Sequence, residues 1–264
     1  MDFRTSDGVR INYQVRGSGQ PVVLVHGFGG YQQVWCLQVP ELLDRGYQVI
    51  TYDQRNHGAS GHTTDLASVD RLIADLHELL VGLQVARPVL IGHSMGAAEI
   101  YGFLQRYPDF PVRGAIAIDQ SPKMLNTAQW PYGYMDITRA SYRLKLKEHG
   151  NVRETLNGVP KQVLNQLAPE KEMFPFVRAE NLPLLYDHAK KDWRPAVEKA
   201  TVPLLLVTAN QSPYFDGRFA DVLAAANPAY VTHAAVDQSG HVVMAEQAGA
   251  FNKLMDEFLD QHRR

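Results

Sequence analysis

The stretch PVLIGHSMGAAEIYGFLQRY, residues 88–107, decides the fold. It opens with a short apolar run, passes through two glycines that bracket a serine, and continues with helical spacing. A strand turning at once into a helix around Gly92, Ser94 and Gly96 reads as a nucleophile elbow. The glycines permit a turn in which a Cβ would collide with neighbouring backbone, and the helix directs its positive end toward an anion formed near Ser94. Working outward, residues 9–15 (VRINYQV) alternate as a half-buried antiparallel strand does. Short apolar runs follow at 22–25, 48–52, 112–118, 203–207 and 230–236. Between them, VDRLIADLHELLVGL (69–83) sets Leu72, Ile73, Leu76, Leu79, Leu80 and Leu83 on one stripe, and 248–262 repeats that pattern. Strand and helix alternate, which predicts an α/β fold with a doubly wound, mostly parallel sheet.

Residues 121–200 break this rhythm. They hold no strand-like run, several helix-like pieces, and prolines such as Pro122, Pro131 and Pro160. The expectation is a helical insertion between two strands, with a core formed by residues 1–120 and 201–264.

Composition narrows the function. A chain of 264 residues with 45% hydrophobic and 20% charged residues is long enough for one globular domain with an inserted lobe. A net charge of -2 supplies no field to hold phosphates, so nucleic acid is not an expected partner. No run approaches the ~20 apolar residues of a spanning helix, and the start, MDFRTSDGVRINYQVRG, lacks the apolar centre of a signal peptide. A cytoplasmic location without membrane contact is expected; oligomeric state is left open. Cys36 is the only cysteine, so no internal disulfide or cysteine-based metal site is available, and its setting in VWCLQVPELL reads as a buried helix face. No H-E-x-x-H or other ligand-spaced histidine cluster is present, so no metal is expected, and the serine chemistry read below requires no cofactor.

Four segments occur in a telling order: VVLVHGFGG (22–30), YDQRNHGAS (52–60), VLIGHSMGA (89–97) and QSGHVVMAE (238–246). Together they resemble the α/β-hydrolase superfamily across nearly the whole chain. The resemblance is nearest to small capped esterases, lactonases and cofactor-free haloperoxidase-like members. It implies that residues 121–200 are a helical lid entering between strands six and seven. It also implies Ser94 as nucleophile, His241 as its base behind the last strand, and the Phe28 and Met95 amides as the oxyanion hole. His26, His57 and His93 read as structural. Trp130 and Tyr132, just beyond the expected lid hinge, are candidate substrate contacts by position.

Two departures from the family pattern stand out. Asn56 replaces a usual glycine, which the left-handed tolerance of asparagine accommodates. More consequentially, VPLLLVTANQSPYFD puts Ser212 where the acid after strand seven usually falls. Two carboxylates can replace it: Asp119, ending strand six in GAIAIDQSP, is favoured, and Asp216, which also reads as a helix-start acid, is the alternative.

The expected function is a serine carboxylesterase acting on a small or medium ester through an acyl enzyme, with Ser94, His241 and Asp119 as triad. The alternatives are a lactonase, or a cofactor-free dioxygenase or haloperoxidase-like enzyme in which His241 deprotonates an organic substrate. A non-catalytic receptor on the same fold is a third reading. Haloalkane dehalogenase and epoxide hydrolase chemistry would need an aspartate at position 94.

Overall fold

The computed structural model describes residues 1–148 and 152–263. An edge hairpin comes first: β1 (Asp2–Arg4) pairs antiparallel with β2 (Arg10–Arg16). Then β3 (Pro21–Val25), α1 (Val39–Asp44), β4 (Gln48–Tyr52), α2 (Val69–Gly82), β5 (Val89–His93), α3 (Met95–Arg106) and β6 (Gly114–Ile118) alternate. The insertion carries α4 (Tyr142–Glu148), α5 (Lys161–Met173), α6 (Leu182–Lys190) and α7 (Arg194–Glu198). The chain closes with β7 (Leu204–Ala209), α8 (Arg218–Ala226), β8 (Val231–Val236), α9 (Val243–Glu246) and α10 (Ala248–Gln261).

Among the described residues the strands form one sheet in the order β1-β2-β4-β3-β5-β6-β7-β8, parallel from β4 through β8. The chain leaves β3 to form β4 on one side, then returns across it to form β5 on the other. That reversal opens a crevice at the carboxyl ends of β3 and β5, where open α/β sheets bind ligands.

Alternation along each strand feeds two cores. Val22, Leu24, Val89, Ile91, Ile116 and Ile118 face α1, α9 and α10, whereas Val23, Val25, Leu90, Ala115 and Ala117 face α2, α3 and α8. Burial on both faces explains why these strands read as continuous apolar runs. In α2, Ser68 accepts the Asp70 amide at 3.2 Å as a cap, and the stripe from Val69 to Leu80 is buried.

The segment between β6 and β7 carries four helices and no named strand among its described residues. Its base is continuous with the sheet's own core: Met124, Trp130, Leu184 and Trp193 pack in the same cluster as Ile73, Phe103 and Ala117. Cys36 corrects its sequence reading. It lies outside α1, capping a 3-10 turn at Gln32–Trp35, and is half-buried. No helix among the described residues is long and apolar enough to cross a membrane.

Candidate active site

Ser94 sits between β5 and α3 with φ 54° and ψ -125°, a strained conformation for a residue with a Cβ. The surroundings impose it. A Cβ on Gly92 would lie 2.5 Å from the Gly96 carbonyl oxygen, and one on Gly96 would lie 2.4 Å from the Val25 oxygen. Gly27 approaches from the opposite side, where a Cβ would stand 2.9 Å from that of Ser94. The elbow is therefore wedged against the end of β3, and only glycine fits at 92 and 96.

His241, five residues beyond β8, lines the same cavity as Ser94. Its Nδ1 lies 2.7 Å from Oδ2 of Asp119, and both side chains are almost wholly buried. With Nδ1 committed to the carboxylate, Nε2 is the nitrogen left to exchange a proton. Asp119 stands one residue past β6 with φ 46°. Its Oδ1 accepts the Ala209 amide at 3.1 Å, and its Oδ2 also accepts the Ser212 hydroxyl at 2.6 Å. Ser212, at the position where an acid was sought, is a hydrogen-bond donor to the acid on the neighbouring strand. Asp216 points elsewhere: it pairs with the exposed Arg218 and accepts that residue's amide at 3.0 Å.

Phe28 and Met95 both line the cavity, and among the described residues neither amide donates to a protein acceptor. The loop bearing Phe28 is held from two directions. His57 accepts the Gly29 amide at 3.0 Å through Nε2 and bonds the Arg55 carbonyl through Nδ1. Phe176, from the insertion, stacks on His57 at 4.7 Å and meets Phe28 edge-on at 5.0 Å. His26 accepts the Gln54 amide at 3.0 Å. Burial lowers the pKa of His26 to about 4 and that of His57 to about 3, so both stay neutral and act as fixed braces. His93 bonds the His241 carbonyl at 2.9 Å, and burial holds it neutral too. Asn56 adopts φ 64°, and its side chain bonds Thr63 and Asn181.

The cavity measures about 390 Å³. Trp130 and Tyr132 do not line it, which corrects the expectation drawn from their position. Trp130 is buried at the base of the insertion, where its indole N–H donates to the Lys123 carbonyl at 3.1 Å and its ring meets Tyr132 edge-on. The chain after Asp119 turns back on itself at Thr127–Trp130, so these aromatics pack on the hinge. The insertion instead contributes Met124, Tyr134, Glu154, Leu167, Lys171 and Arg178.

Tyr214 and Glu154 escaped the sequence reading. The Tyr214 ring lies edge-on to His241 at 4.7 Å and its hydroxyl donates to Glu154 at 2.9 Å. The Glu154 carbonyl in turn accepts the His241 amide at 2.6 Å. Glu246 fastens this junction by accepting the amides of Gly240 and Leu156. Tyr214 could have been suspected from its place beside Ser212, whereas Glu154 carries no local signal. Among the described residues no cluster of histidine, cysteine or carboxylate side chains could hold a metal ion.

Known proteins share this architecture. The sequence pattern of the Alpha/beta hydrolase family matches residues 22–254. The non-heme chloroperoxidase CPO-A1 of Kitasatospora aureofaciens is 34% identical over 133 residues, covering 50% of this chain and 48% of that protein. A bifunctional esterase/perhydrolase of Acinetobacter calcoaceticus is 32% identical over 123 residues, covering 46% and 45%. The chain thus spans about half the length of these curated relatives. An esterase from Exiguobacterium antarcticum superimposes with a TM-score of 0.83 over 98% of both chains at 21% identity, which establishes the shared fold. With the pattern covering most of its length, the chain belongs to the alpha/beta hydrolase family.

Proposed function

We propose that this chain is a serine hydrolase of carboxylesterase type acting on a small-molecule ester, with residues 121–200 as the lid over its cavity. The observation that carries the reading is the buried Asp119–His241 hydrogen bond on a cavity shared with an elbow serine. Ser94 Oγ attacks the acyl carbonyl while its proton passes to His241 Nε2, and the carbonyl oxygen gains charge against the Phe28 and Met95 amides. Fixed backbone donors stabilise that charge without reorganising. The C–O bond to the alcohol breaks as His241 returns the proton to the leaving oxygen. Water, deprotonated by His241, then cleaves the acyl enzyme and releases the acid. Asp119 holds the imidazole in one tautomer throughout and takes no proton.

A second reading is favoured by the names of the relatives, a non-heme chloroperoxidase and an esterase/perhydrolase. Hydrogen peroxide replacing water at the acyl enzyme would release a peracid, which oxidises halide to hypohalous acid and returns to the carboxylic acid.

Labelling with a fluorophosphonate, followed by peptide mass spectrometry, tests both. The expected adduct is on Ser94, and Ser94→Ala loses the adduct, turnover of a chromogenic acetate, and any peroxide-dependent bromination together. Bromination that survives Ser94→Ala would assign peroxide chemistry to a route without an acyl enzyme. An unlabelled, inactive wild-type protein would overturn the hydrolase reading.

A further inference from the structure

The insertion places positive charge in the cavity. On α5, Val163, Leu167 and Lys171 recur every fourth residue and line one wall, so an apolar row ends in an ammonium group. Arg178, in the loop that follows, lines the same space. Its guanidinium lies over the Phe28 ring at 5.4 Å, and one terminal nitrogen donates to the Leu146 carbonyl at 2.8 Å. Its Nε is buried and has no acceptor among the described residues.

Three other buried or partly buried arginines are treated differently. Arg55, Arg71 and Arg194 each meet an aspartate within 2.8 Å. Neither Arg178 nor Lys171 has a carboxylate partner among the described residues. Glu154 is the one carboxylate among the described lining residues, and its Oε1 already accepts the Tyr214 hydroxyl. His188 also lines the cavity, and burial lowers its pKa to about 4, so it is a neutral neighbour. A guanidinium set against an aromatic wall with a buried, unpaired N–H is poorly compensated. Its planar fork matches the two oxygens of a carboxylate.

We infer that the cavity recognises an ester bearing a carboxylate, seated on Arg178, with Lys171 adding attraction at the rim. Phe28 joins the two ends of this arrangement: its amide serves the proposed oxyanion position and its ring carries the guanidinium. The carboxylate therefore belongs to the far end of the substrate, away from the reacting carbonyl. The inference rests on the esterase reading for its reaction but concerns binding, and binding can be measured without turnover.

The test uses the full chain carrying Ser94→Ala, titrated calorimetrically with monomethyl adipate and with methyl adipamate, which replaces the carboxylate by a neutral amide of nearly the same shape. The acid ester is expected to bind about tenfold more tightly, as a charge-assisted pair allows. Adding Arg178→Gln should collapse the difference, while Arg178→Lys should keep part of it. Equal affinities in the Ser94→Ala protein overturn the inference with no substitution at 178 required. So does a preference that survives Arg178→Gln. If the preference holds but the wild-type protein hydrolyses neither compound and takes no phosphonate, the esterase reading fails while the carboxylate site stands.

Discussion

At the scale of single residues, the displaced acid has the clearest consequences. Asp119 is fixed by two donors besides His241, whereas Asp216 makes a surface pair with Arg218, and such pairs contribute little. Asp119→Asn is expected to lower kcat by about 10³- to 10⁴-fold, because an amide can present N–H to Nδ1 and favour the wrong tautomer. Asp216→Asn should stay within about twofold of wild type. Steady-state kinetics on a chromogenic acetate, with circular dichroism to confirm folding, separates the two; the opposite ranking would move the acid role to Asp216. Ser94 and His241 were legible because each sits in a short contiguous motif whose glycines reveal the backbone geometry. Asp119 could only be weighed against Asp216, since what distinguishes them is a contact across 122 residues of chain. That Ser212 would be a donor to Asp119 depends on the pairing of β6 with β7, which spacing along the chain does not encode.

At the scale of elements, the elbow converts a local clash into the geometry proposed for catalysis. Gly96→Ala would drive a methyl group into the carbonyls of Val25 and His26, at 2.4 and 2.6 Å, where backbone cannot yield as a side chain could. The expected result is a loss of about 3 kcal/mol or more, read as a lower urea midpoint, since close packing leaves no space to relax into. A variant as stable as wild type would show that β3 and α3 are free to separate. The parallel strands and amphipathic helices were readable because burial on two faces, or one, leaves a periodic mark. β1 was missed: at three residues on the sheet edge it is too short to show a period. The insertion misled for a related reason. Trp130 and Tyr132 are near Asp119 in sequence, but the turn at Thr127–Trp130 returns them to the hinge, and cavity-lining falls to later residues such as Leu167 and Arg178.

For the molecule as a whole, the buried neutral histidines impose an acid limit. His26 and His188 have pKa values lowered by burial from 6.5 to about 4, and His57 to about 3. In the unfolded chain these imidazoles take up protons near pH 6.5, while the folded protein resists until far lower pH. The unfolded state thus binds more protons throughout that window, so stability is full above about pH 6.5 and declines as pH falls toward 4. One tenfold change in proton affinity is worth about 1.4 kcal/mol, which makes His26 alone responsible for on the order of 3 kcal/mol at the acid end. Urea midpoints measured from pH 7.5 to 4.5 should fall steadily below 6.5; a flat profile would mean that the histidine sites open without unfolding the chain.

The order of the proposed triad along the chain bears on biosynthesis. Ser94 and Asp119 leave the ribosome early and close together, and the insertion is then made in full before β7, β8 and His241 appear. At roughly 5 to 20 residues per second, translation from Asp119 to His241 lasts roughly 6 to 24 s. For that interval the nascent chain holds a serine on an unfinished elbow with no base beside it. Until then the chain is an inert polypeptide, and the competence proposed for the triad arrives in one late step, when the last parallel strand docks.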